Sequence, residues 1–111
     1  MLSSLSAREV RDQIASGKIT SRQATQFALD AIAKLNPTLH AYNSTFADRA
    51  LQQADAIDAK RAAGQPLGLL GGVPISIKDN MCTDYGTTTC SSKMLENFHA
   101  PYNATVVEKL E

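Results

Sequence analysis

Apolar positions along the chain follow two different rhythms. Up to about residue 63 they recur every three to four residues, the spacing of helices with one covered face. Ser6 and Glu9 form a capping box, with Leu5 and Val10 placed as a hydrophobic staple around it, and Gly17 is a natural stop. This predicts a first helix over about Ala7 to Ser16. The device repeats at Thr20 and Gln23, flanked by Ile19 and Ala24. A second helix then carries Ala24, Phe27, Ala28, Ala31, Ile32 and Leu35 on one stripe, and Asn36-Pro37 is expected to end it. A short extended piece is expected over His40 to Ser44. A third helix should run from about Phe46 to Ala63, with Ala47, Ala50, Leu51, Ala54 and Ile57 on one side and Gly64 closing it. An alanine-rich stripe buries little area per residue, so this helix should pack closely on a larger element.

From Gly71 the rhythm changes. In Gly71-Gly72-Val73-Pro74-Ile75-Ser76-Ile77-Lys78-Asp79-Asn80 the apolar Val73, Ile75 and Ile77 alternate with Pro74, Ser76 and Lys78. That is the period of a two-faced strand, fed by a loop over Gln65 to Gly72. Lys78 falls where the strand stops, and in open α/β sheets ligands gather at the carboxyl ends of strands. A lysine there is a candidate for chemistry, although lysines at strand ends ordinarily reach into water. Thr83 to Ser92 is rich in hydroxyls and lacks a helical period, so it reads as a solvated loop. Lys93 to Asn97 has room for one helical turn. A last helix should open at about Ala104, capped by Asn103, with Val107 and Leu110 inward. Its pattern still runs at Glu111, which leads us to expect the front part of a longer, single domain; no internal repeat is present.

Composition narrows the function. The 111 residues carry eleven basic and eleven acidic side chains, a formal net charge of zero. A surface that tracks phosphates would need a basic excess, so any work on nucleic acid would fall to a partner. Residues 62 to 77 are uncharged, but glycines and prolines interrupt them and no membrane span fits. The start lacks the basic and apolar regions of a signal peptide. Cys82 and Cys90 read as free thiols of a cytoplasmic protein. His40 and His99 have no carboxylate or cysteine at metal-ligand spacing and read as structural. Gly71-Gly72 precedes a strand, not a helix, so it is no phosphate cradle. Ser91 and Ser92 resemble a nucleophile pair but have only Lys93 as a local base, and a capping role suits them better.

Taken together, Gly72 to Asn80, Thr87 to Phe98 and Pro101 to Val107 resemble the amidase signature family, and within it the branch of glutamyl-tRNA(Gln) amidotransferase A subunits. The paired N-terminal helices and the helix ending near Gly64 are similar to that branch as well. The resemblance implies an α/β fold, here the first part of a mixed sheet layered with helices, whose N-terminal half is helical. It implies a serine–cis-serine–lysine triad in which Lys78 falls on the catalytic lysine. Both serines belong to a Gly-Ser-Ser-rich segment absent from these residues, so these residues alone are expected to be inactive. Asn103 stands where many members carry an acidic residue. The implied activity is glutamine hydrolysis that supplies ammonia to convert Glu-tRNA(Gln) into Gln-tRNA(Gln). The implied partners are two further subunits of a heterotrimer, one of which uses ATP and Mg and handles the tRNA. No cofactor or metal is expected on this chain.

The chemistry suits the position. A lysine that takes a proton must be neutral, whereas a free lysine holds its proton up to a pKa of about 10.4. Burial against Val73, Ile75 and Ile77 would disfavour the ammonium, and a close Asp79 carboxylate would favour it. Two other readings stand beside this one: a stand-alone amidase of the same family acting on another amide, and a non-catalytic module that docks a partner on its helical half.

Overall fold

The computed structural model describes residues 2–111. They form four α-helices, α1 (Ala7–Ala15), α2 (Ser21–Leu39), α3 (Ala47–Ala62) and α4 (Thr105–Leu110), with single 3₁₀ turns at Leu2–Ser4 and Lys93–Leu95. The chain divides into two compact units, one up to Pro74 and one from Ile75 to Glu111.

In the first unit the helix starts follow the local signals. Ser6 N–H donates to Glu9 Oε2 at 2.7 Å and Glu9 N–H donates to Ser6 Oγ at 3.3 Å, the reciprocal box. The Ser6 amide, and then its hydroxyl, hold the Glu9 carboxyl below the usual carboxylate range. Thr20 and Gln23 make the same exchange at 2.9 and 3.0 Å. The remaining free donors of α2 are met from α3: Ser21 N–H donates to Asp58 Oδ1 at 2.8 Å and Arg22 N–H to Asp58 Oδ2 at 3.0 Å. With the first intrahelical bond from Ala24 N–H to Thr20 C=O, every amide of the first turn has an acceptor. The carboxylate also sits at the positive end of the helix dipole. Thus α3 fixes where α2 begins, and the two helices pack together with Ala24 and Ala54 buried between their partners.

A third segment joins this knot. Ser21 Oγ donates to Gly72 C=O at 2.9 Å. Gly72 has φ +82°, and a Cβ there would lie 2.9 Å from Ser21 Cβ and Oγ and 3.1 Å from Ile57 Cγ2. Only glycine permits that approach.

Several expectations need correction. α2 does not end at Asn36-Pro37 but continues through Pro37 to Leu39. Proline withholds one donor from the last turn, yet His40 N–H donates to Asn36 C=O at 2.8 Å and His40, at φ 50°, closes the helix in the left-handed conformation. Asn36 instead organises the segment after the helix, accepting from Tyr42 N–H at 2.8 Å and donating to Tyr42 C=O at 3.0 Å. Residues 40–44 are irregular and not extended into a strand. Nor do Val73 to Ile77 form one: 73–78 is irregular, and among the described residues there is no strand and so no mixed sheet. A strand is stabilised by a ladder with a neighbour, and no described segment supplies that ladder.

The second unit holds together by other means. Asp84 N–H donates to Asn103 Oδ1 at 2.7 Å, so Asn103 ties the loop down and does not cap α4, whose N-cap is Ala104 without a side-chain bond. Ala104 N–H donates to Cys82 C=O at 2.8 Å, and Val107 is fully buried, as its pattern predicted. Thr83 and Thr88 are buried too, so the hydroxyl-rich loop is not simply solvated. Thr83 Oγ1 donates to Tyr85 C=O at 2.7 Å and Thr83 N–H to Thr88 Oγ1 at 3.4 Å.

Asp58→Ala should cost about 1 kcal/mol or more of stability by leaving two α2 amides unmet, and hydrogen exchange at Ser21 and Arg22 should rise while Gln23, served by Thr20, keeps its protection. Because the folded pKa of Glu9 is depressed, its box contributes fully above the unfolded carboxyl pKa and weakens as pH falls through the folded value. The Glu9 side-chain shift in an NMR titration should therefore move below the ordinary carboxylate range.

Candidate functional site

Lys78 opens a turn. Met81 N–H donates to Lys78 C=O at 3.0 Å, with Asp79 and Asn80 at its centre, two residues whose short polar side chains favour turns. The Lys78 side chain is exposed, as is Ile75 at 44%, while Val73 and Ile77 are half-buried. The apolar enclosure expected around the amine is therefore not built by these residues. What the structure does build is the backbone that carries it.

The alternation sets Asp79 on the face opposite Lys78, and its carboxylate is bonded to Thr89. Thr89 N–H donates to Asp79 Oδ1 at 2.8 Å, and Thr89 Oγ1 donates to Asp79 Oδ2. A third bond runs between the backbones, from Cys90 N–H to Asp79 C=O at 2.9 Å. The residue next to Lys78 is thus joined to the hydroxyl-rich loop through both carboxylate oxygens and its own carbonyl.

Beyond the joint the loop turns sharply. Ser92 N–H donates to Thr89 C=O at 2.8 Å across Cys90 at φ 50° and Ser91 at φ 56°. Two positive φ values in succession define a type I′ turn, which ordinarily uses glycine or asparagine. Cysteine and serine there cost about 1–2 kcal/mol each, a strain that persists only where the surroundings over-determine it. The surroundings here are the Asp79 joint on one side and the Lys93–Leu95 turn on the other. Ser92 stands at the N-cap of that turn without a side-chain bond, so the expected serine cap is not made. Phe98 N–H donates to Leu95 C=O at 2.9 Å, and Thr88 N–H to Phe98 C=O at 3.0 Å, which closes the loop on itself.

The remaining candidates bring no further chemistry to Lys78. His40 serves as the left-handed end of α2. Cys82 and Cys90 are free, the first half-buried and the second exposed. Among the described residues no three histidine, cysteine or acidic side chains gather as a metal set, and no helix is long and apolar enough to cross a membrane. A hollow of about 450 Å³ in the first unit is lined by Arg11, Arg61, Gly64, Gln65 and Leu67, none of which enters this chemistry.

A loop lysine with its backbone clamped is compatible with many functions. The comparison that decides among them is a family model, described as Amidase, that matches residues 23–111. The chain belongs to the amidase family. The match takes in Lys78, Asp79, Thr89 and α4. This amidase-family chain is 49% identical to the A subunit of glutamyl-tRNA(Gln) amidotransferase from Trichormus variabilis over 105 residues, which are 95% of the chain and 22% of that protein. It is also 49% identical to the corresponding protein of Thermobifida fusca over 106 residues, 96% of the chain and 21% of that protein. It spans about a fifth of the length of these relatives. Among solved structures, a chain from a vestigial protein complex that reveals the evolutionary origins of an s-triazine catabolic enzyme superposes with a TM-score of 0.91 at 31% identity, over 96% of this chain and 23% of that one. The irregular course of 73–78 and the helices that precede it therefore occur within an amidase-family fold.

Cys90→Gly should relieve one strained residue and raise stability by up to about 1 kcal/mol, seen as a higher urea midpoint with an unchanged slope.

Proposed function

We propose that these residues are the first part of the amidase domain of a glutamine-dependent amidotransferase subunit, with Lys78 as its proton acceptor. The observation that carries the proposal is near-50% identity across 95% of the chain to proteins named as the A subunit of glutamyl-tRNA(Gln) amidotransferase. In the reaction, a serine hydroxyl supplied outside these residues attacks the side-chain amide carbon of glutamine. The neutral Lys78 amine takes the hydroxyl proton through a bridging serine, and that proton leaves with the departing nitrogen as ammonia. Water then releases glutamate from the acyl-enzyme. This is the serine–lysine counterpart of the serine–histidine arrangement, with the lysine as base.

Ammonia released in this way serves a partner that transamidates Glu-tRNA(Gln) to Gln-tRNA(Gln). Two further subunits complete the assembly in the cytoplasm, and ATP with Mg is used by the tRNA-handling partner and not by this chain. The neutral charge balance supports that division, since phosphate contacts need a basic surface. The exposure of Lys78 supports a site completed by further chain: a base in an acyl-transfer site needs water excluded, and these residues leave it open. A second reading, an amidase acting on a different amide, draws on the 31% identity to the chain from the vestigial complex that reveals the evolutionary origins of an s-triazine catabolic enzyme.

In the assembled full-length enzyme Lys78→Ala should lower glutamine turnover by about 10²–10⁴-fold, with little change in melting temperature. Lys78→Arg should fail as well, because a guanidinium stays protonated. Lys93→Ala, on an exposed 3₁₀ turn, should leave turnover near wild type. Turnover by Lys78→Arg at wild-type rates would make Lys78 a positioning cation and sink the proposed role; hydrolysis of other amides in preference to glutamine would favour the second reading.

A further inference from the structure

We infer that Asp79 and Thr89 are positioning residues for Lys78: their clamp sets where the lysine backbone stands and so where its amine can reach. The inference rests on the reading of Lys78 as the proton acceptor and adds to it the residues that aim it.

The geometry gives three reasons. First, two constraints hold the C-terminal side of Lys78. Its carbonyl accepts from Met81 N–H at 3.0 Å, and the residue after it is held by Thr89 and Cys90. A four-carbon side chain amplifies any rotation of its own Cα, so a base on such a stem needs a fixed root. Second, both carboxylate oxygens of Asp79 go to one residue. Thr89 offers its amide and its hydroxyl to the two oxygens, a pairing that fixes both distance and orientation, as bidentate bonds do. A joint needed for cohesion alone could use either bond singly. Third, the loop on the far side is strained at Cys90 and Ser91, and the Asp79 carbonyl holds the first of these amides. Strain of this kind is kept where a particular geometry is required. Both Thr89 donors go to Asp79, so the effect of Thr89 on Lys78 passes through that carboxylate.

The test is kinetic and uses the assembled full-length enzyme with glutamine. Thr89→Val removes the hydroxyl while keeping the shape and the amide. It should lower kcat by about 100-fold, the penalty of misplacing a catalytic group by an ångström, with KM within about twofold and a melting temperature close to wild type. Thr89→Ser, which restores the hydroxyl, should recover most of kcat. The double variant Lys78→Ala/Thr89→Val should be no slower than Lys78→Ala alone, because a residue that acts only through the lysine has nothing left to aim. A threonine that merely supports the fold would lower melting temperature, fail to discriminate kcat from KM, and reduce the rate further in the double variant. Should Thr89→Val not fold, Thr89→Ala serves the same comparison, since it also keeps the amide bond to Asp79.

The outcomes separate the two layers. Loss in Lys78→Ala with wild-type kcat in Thr89→Val, or losses that multiply in the double variant, overturns the positioning role and leaves the reading of Lys78 intact. Wild-type turnover in Lys78→Ala overturns that reading itself. A kcat loss in Thr89→Val that Thr89→Ser repairs and Lys78→Ala masks supports the inference.

Discussion

The carboxylate of Asp79 is the interaction on which the second unit depends. It accepts two hydrogen bonds from Thr89, and the same residue's carbonyl accepts a third from Cys90. Without it, the strained pair Cys90-Ser91 would be held mainly by the Lys93–Leu95 turn, and the turn that presents Lys78 would keep only the Asp79 carbonyl as its tie to the loop. Charge-assisted bonds are about twice as strong as neutral ones, which suits a carboxylate to that task. Around this joint the unit is assembled mainly from side-chain-to-backbone bonds: Thr83 to Tyr85, Asn103 to Asp84 and Thr88 to Thr83. Its apolar burial is slight, with Ala100 and Val107 as the buried hydrophobic residues. Polar stitching of this kind specifies geometry more than it adds stability, because each bond made in the protein replaces one made to water.

The first unit repeats the theme with a different cast. Asp58 of α3 supplies the acceptors that the first turn of α2 lacks, and the Ser21 hydroxyl carries the tie on to Gly72. In both units one aspartate converts a set of local elements into a particular arrangement. Gly72 is thereby held against the helices at a position where no side chain could be placed.

Much of this was legible in the sequence where its cause is local. Both capping boxes lie within three residues, and α1, the start of α2 and α3 followed from them and from the glycines behind them. What escaped is what acts at a distance. Asp58 reaches Ser21 across 37 positions, Asn103 reaches Asp84 across 19, and Asp79 reaches Thr89 across 10. No periodicity announces such pairs, so Asn103 read as a helix cap and the joint between Asp79 and Thr89 went unread. The end of α2 was misjudged because Pro37 signals a break, whereas the tertiary bonds of Asn36 and the left-handed His40 place it beyond the proline, at Leu39. Alternation around Ile75 and Ile77 picked out the segment that carries Lys78 but not its state, because a strand forms only with a partner and none lies among the described residues. Lys78 itself stood out in the sequence, while the residues that root it became visible only in three dimensions.

The central claim is that a clamped backbone delivers Lys78 to a serine supplied by further chain. It is tested most directly by a crystal structure of the full-length enzyme trapped as its glutamyl acyl-enzyme. The account predicts Lys78 Nζ within about 3 Å of a serine hydroxyl, enclosed from solvent, with both Asp79–Thr89 bonds in place. A Lys78 amine still in solvent, with no hydroxyl in reach, would contradict it.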